Sequence, residues 1–210
     1  MRFILVLKAV ALAGIASLIY EVLWVRQLGL SLGSTAIATS VMLSAFLGGL
    51  ALGSTWMGRR ADTLEQPARA LMLVELAAAA LGIAAIPALT AAGGAYVFLA
   101  RTLGATGFLA TCLRALFALI VMMIPAAFFG MTFPLATTVG ARLVRRPATA
   151  AGAVSAVSSF GSAIGALLCG LWLEPTLGIF RSALIGAGFN VLAAACAAAV
   201  WLLVRVRRCA

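Results

Sequence analysis

Apolar stretches of about 20 residues, long enough to cross a ~30 Å hydrocarbon core as a helix, recur from one end of this chain to the other. That feature leaves few folds open. A soluble domain needs a charged, solvated surface, and with 65% hydrophobic and 10% charged residues this chain cannot supply one. A membrane β-barrel would show alternating stretches of ~10 residues, and there are none. Helices satisfy every backbone group internally, so the reading is all-α: a polytopic transmembrane bundle of about six helices, possibly seven.

Hydropathy and helix breakers place the spans near 3–28, 35–57, 69–92, 107–140, 150–173 and 179–204, in one transmembrane domain covering 1–210. The start, MRFILVLKAVALAGIAS, imitates a signal peptide, but its apolar run continues through Leu18, Ile19 and Tyr20. It is therefore expected to be the first membrane helix. The fourth segment holds Pro125 and Pro134 around Gly130. Proline removes a donor and crowds the preceding turn, so a kink is expected there. A full break would raise the count to seven.

The formal charge of +10 does not point to nucleic acid, because the arginines sit in short clusters at the span ends. Arg59, Arg60 and Arg69, then Arg142, Arg145 and Arg146, then Arg205, Arg207 and Arg208 share one face if there are six passes. Arg26, Arg101, Arg114, Glu174 and Arg181 are scattered over the other. This asymmetry is the positive-inside pattern, so both termini are expected in the cytoplasm. With no histidine and no CxxC pair among Cys112, Cys169, Cys196 and Cys209, neither a metal site, a cofactor nor a disulfide framework is expected.

Charge inside a membrane helix is costly and normally faces a partner or a water-filled cavity. Glu21, near the end of the first span, is therefore the leading candidate for contact with a solute or a partner. Tyr20 and Trp24 lie one helical turn apart on one stripe, with Glu21 beside Trp24 at i and i+3, and they have two readings, the same contact or an interfacial aromatic belt with Arg26 at the headgroups. Arg114, Glu174 and Arg181 are expected in the same half, as an ion-pair network or a site for a small charged ligand. Asn190 is expected to hydrogen-bond across helices. At the basic end, Arg59, Arg60 and Asp62 close the second span after Gly58, and with Glu75 they form a candidate cytoplasmic latch. Gly49 and Gly53, like Gly161 and Gly165, have the spacing that lets helix backbones approach closely. A fainter echo carries Gly49, Gly53, Gly58 and Asp62 onto Gly161, Gly165, Gly170 and Glu174 at a constant offset, as a repeated three-helix unit would.

The string GIASLIYEVLWVRQLGLSLGST, followed by LSAFLGGLALGSTWMGRRAD, resembles the membrane part of the bacterial fused major facilitator/spermidine synthase proteins. Those show a Tyr-Glu-x-x-Trp-x-Arg signature, a Gly-Ser-Thr turn, a glycine-rich second helix and a Gly-Arg-x-Ala-Asp close. Phe129 to Leu135 (FGMTFPL), Ser159 to Ala166 and Leu177-Gly178 are similar to its later segments. The resemblance implies a module like half of a major facilitator, in a bacterial inner membrane. In that family a cytosolic synthase-like domain usually follows the helices. Its glycine-rich cofactor loop and acidic polyamine site do not occur in these 210 residues, so polyamine synthesis is not carried over and no enzyme activity is expected.

Two functions remain. One is an accessory or scaffold subunit, assembling with other membrane proteins or with a separate synthase-like partner. The other is a small transporter or half-transporter for a cationic or amino-acid-like solute such as a polyamine. A membrane enzyme using Tyr20, Glu21 and Arg26 on a lipid-borne substrate is a distant third, for want of an activated nucleophile.

Overall fold

The computed structural model describes residues 2–32, 35–104 and 106–209, without the side chains of 31, 32, 35, 38 and 206–209. The Gly33-Ser34-Thr35 turn motif and the Arg207 and Arg208 side chains therefore lie outside it. The helices are α1 (Arg2–Leu32), α2 (Thr35–Ala61), α3 (Pro67–Thr102), α4 (Gly107–Val144), α5 (Pro147–Leu168) and α6 (Glu174–Cys209), with one π-helical turn, Cys169–Leu173, between the last two. Among the described residues five helical runs are long and apolar enough to cross a membrane, not the six or seven expected. This is a membrane protein.

The difference in count has two physical causes. No loop separates α5 from α6: helical hydrogen bonding passes through the π turn, so Pro147–Arg205 is one run of 59 residues. A straight helix of that length would extend ~88 Å, far beyond a bilayer, and the run instead folds back at Gly178. There the backbone takes φ 74° and ψ 176°, a conformation essentially restricted to glycine. The second cause is α4, which stays helical through both prolines. Pro134 has no N–H to offer the carbonyl of Gly130, and the Ser54 hydroxyl of α2 donates to that carbonyl at 2.8 Å. A neighbouring helix thus satisfies the group that proline orphans.

Close glycine contacts set the packing. Cβ atoms added at Gly49 and Gly53 would strike Met123, Ala126 and Ala127 of α4, and at Gly161 and Gly165 they would strike the Ala11 and Ile15 backbone of α1. The residue numbers rise together in each pair, so α2 runs parallel to α4 and α5 runs parallel to α1. Gly186 lies against Ile19 and Tyr20, whereas Ala193 packs with Ala9 and Ala13. The numbers run oppositely here, so α6 is antiparallel to α1. The two arms of the fifth run therefore flank α1 in opposite directions. The Phe3 ring lies beside Gly140 and Trp201 bonds to Gln66, which puts both ends of the chain and the 61–67 and 144–147 turns at one end of the bundle.

The weak sequence echo is a structural repeat. An offset of 112 residues (161 minus 49) carries α2 onto α5 with its π turn, and α1 and α3 onto most of α4 and α6. It also carries contacts onto contacts. Gly49 and Gly53 over Met123 and Ala127 become Gly161 and Gly165 over Ala11 and Ile15. The Thr138–Asp62 hydrogen bond becomes the Arg26–Glu174 ion pair. Because α1 and α4 run oppositely, the two triplets are inverted relative to each other, the arrangement of inverted-topology repeats.

Candidate functional site

Helices α1, α2, α4 and α5 surround a cleft of about 240 Å³, with α2 and α5 on opposite flanks. Five hydroxyl residues line it: Ser17, Ser54, Thr132, Ser158 and Ser162. Four of these hydroxyls donate to protein oxygens. Ser17 and Ser162 donate to the Gly14 carbonyl (3.0 and 3.4 Å), Ser54 to that of Gly130, and Thr132 to Glu75 Oε1 (2.7 Å). A hydroxyl whose proton is committed still offers lone pairs. The lining therefore presents acceptors, which suits a ligand rich in N–H donors.

Behind Thr132 stands Glu75 of α3, fully buried. It lies ~12 Å along the helix from Pro67 at 1.5 Å per residue. Its Oε2 has no hydrogen-bond partner, and among the described residues it has no ion pair. A buried carboxylate with one donor and no counter-charge is costly in a membrane and marks a functional position by default. Asn190 of α6 is also fully buried, and the expected interhelical hydrogen bond is absent: neither amide atom has a partner in the described structure. Gln66 meets Trp201, and Gly82 and Gly186 meet on Tyr20. Interpolating between these pairs puts Asn190 within about one turn of Glu75 along the bundle axis.

The site expected around Glu21 takes a different form. Tyr20 and Trp24 do not form an interfacial belt. Both are fully buried and stacked at 5.6 Å, with Phe129 and Phe46 completing an aromatic core. Gly82 makes room for the Tyr20 ring, since a Cβ there would overlap it. Glu21 is half-buried and has no hydrogen bond or ion pair among the described residues. Of the charged residues expected to gather near it, only Arg26 and Glu174 meet, at 3.2 Å. Arg114 instead stacks over Tyr96 at 4.6 Å, and Arg181 is exposed. Side chains on helices packed this tightly cannot cross from one face to another, so charges sharing a membrane half need not converge.

The latch joins the α2 and α4 ends through Asp62, as expected, but its partners are Thr138 and Arg142 of α4 rather than Arg59, Arg60 or Glu75. Thr138 donates to Asp62 Oδ1 at 2.9 Å, and Arg142 donates to the Asp62 carbonyl at 2.7 Å. Arg59 is exposed and Arg60 covers the Trp56 ring at 4.4 Å. Glu75 takes no part, being two turns deeper and turned into the bundle. The interfacial aromatic role belongs at this end to Trp56 and Trp201, both capped by arginine.

The cleft hydroxyls are legible in sequence only in part. Serines in an alanine- and glycine-rich helix give no sign of which face they occupy. Ser17, Ser54, Thr132 and Ser162 do stand inside the family-like strings, and within FGMTFPL Gly130, Thr132 and Pro134 all have structural tasks. No family model matches the chain, and no curated protein or solved structure matches it either.

Proposed function

We propose that this chain is a transporter-type membrane module, of half-transporter size, that holds a small cationic or amino-acid-like solute in the cleft between α1, α2, α4 and α5. The observation that carries this reading is Glu75, an uncompensated buried carboxylate tied through Thr132 to a cleft lined with acceptors. An ammonium group entering the cleft would supply the missing positive charge. The inverted repeat supports the reading, because transporter folds built from such repeats place their sites at the repeat interface. The likeness to the fused major facilitator/spermidine synthase proteins makes polyamines the first solutes to try. The basic end, with both termini, faces the cytoplasm of a bacterial inner membrane under the positive-inside rule.

A second reading, an accessory or scaffold subunit beside other membrane proteins or a synthase-like partner, has its own support. The flanking helices expose small and hydroxyl residues, Ser44, Ala51 and Thr55 on α2 and Ser155, Ala156 and Ser159 on α5. Small residues suit helix–helix contact in lipid. Uptake of radiolabelled diamines, polyamines and amino acids into proteoliposomes tests the first reading, with loss of uptake in Glu75→Gln expected. No uptake of any of them, together with a fixed-stoichiometry partner after gentle solubilisation, would favour the second.

A further inference from the structure

At the basic end lies a second cavity of about 460 Å³, remote from the cleft and formed where α1, α3, α4 and α6 end together. Its walls are of two kinds. Val139, Leu143, Val200 and Val204 make the apolar part, while Arg2, Arg142 and Arg205 contribute guanidinium groups against a single carboxylate, Glu65. The first turn of α3 also borders it, and with no side-chain cap from Gln66 the Ala68 N–H is available there, Pro67 having none to offer. An uncapped helix start presents free N–H groups and the positive end of the helix dipole. Trp201 is fixed beside the cavity: its Nε1 donates to Gln66 Oε1 at 2.9 Å, and Arg69 and Arg205 each lie 5.8 Å from the ring centroid.

We propose that this cavity binds one anionic phospholipid, with its phosphate among Arg2, Arg142 and Arg205 and its first acyl methylenes against Val139, Val200 and Val204. Basic pockets between membrane helices suit anionic headgroups, and arginine forks match phosphate oxygens. The phosphate chemistry alone would also suit a free anion. The apolar walls decide between the two: a soluble phosphate would leave them facing empty space, whereas a lipid covers them and reaches the bilayer from the same place.

The test uses the full chain in phosphatidylcholine nanodiscs with graded phosphatidylglycerol, read by native mass spectrometry of retained lipid. The wild type is expected to keep one phosphatidylglycerol in preference to phosphatidylcholine. The Arg2→Gln/Arg205→Gln double variant is expected to lower that retention by about tenfold or more, the scale of losing charged hydrogen bonds to a phosphate. Val204→Trp, which fills the cavity and keeps every charge, is expected to do the same. The Arg59→Gln/Arg60→Gln variant, at the same end but outside the cavity, is expected to retain lipid normally. Equal loss in that control would show diffuse surface attraction and overturn the proposal. So would equal retention of phosphatidylcholine, or displacement of the lipid by millimolar inorganic phosphate.

Discussion

Replacing Ser54 by alanine removes the donor that Pro134 makes necessary. The Gly130 carbonyl has no residue-134 N–H to accept, and the Ser54 hydroxyl reaches it at 2.8 Å where α2 and α4 pack closely. A buried unsatisfied polar group costs about 1–3 kcal/mol, whereas hydrogen bonds between membrane helices average ~0.6 kcal/mol with a ceiling near ~1.7. Ser54→Ala is therefore expected to destabilise the bundle by about 1–1.5 kcal/mol. Pro134→Ala restores an N–H in register with Gly130 and keeps the Cβ that faces Gly58. In that background Ser54→Ala is expected to cost less than about 0.5 kcal/mol, because the carbonyl already has its helical donor. The double-mutant cycle thus predicts a coupling of about 1 kcal/mol, measurable by steric trapping or denaturant unfolding in bicelles. Additive changes, within about 0.3 kcal/mol, would refute the idea that Ser54 is what lets α4 run unbroken through Pro134.

Other expectations follow from the same geometry. Gly53→Val and its repeat-related counterpart Gly165→Val each drive a side chain into the backbone of a parallel neighbour, so both are expected to abolish a stable bundle, read as loss of the monodisperse peak in detergent; normal elution of either would contradict the close-packed seams. Glu174→Gln is expected to change stability by no more than about 1 kcal/mol, because the Arg26 side chain is 62% exposed and water competes for the pair. Gly82→Leu is expected to cost several times more than Glu174→Gln in the same unfolding assay, since the Tyr20 ring fills the space beside Gly82.

The membrane-spanning helical character follows directly from segment length and hydropathy, which have one physical solution in lipid. The spacings Gly49/Gly53 and Gly161/Gly165 likewise announced close helix contacts, and the offset between them matched a true repeat. What sequence could not give was direction around each helix. Trp24 and Tyr20 have the composition of a belt, but the small residues Gly82 and Gly186 open a core pocket for Tyr20 from two other helices. Glu75 is expected in the latch with Arg59, Arg60 and Asp62, yet a residue two turns into a helix can face either the basic loop or the bundle, and here it lies under Thr132. The break between the last two helices was placed correctly near Gly178. Its form was not foreseen, because a π turn and one left-handed glycine leave no polar loop to read.

In the proposed function Glu75 is the charge that the cleft serves. Binding of a labelled diamine or polyamine to the protein in nanodiscs, compared between the wild type, Glu75→Gln and Glu21→Gln, tests this most directly. Glutamine keeps the shape and the acceptor for Thr132 while removing the charge. Affinity is expected to fall about tenfold or more in Glu75→Gln, the scale of one charged interaction, and to be unchanged in Glu21→Gln. Full affinity in Glu75→Gln, with a folded bundle, would contradict this role for Glu75.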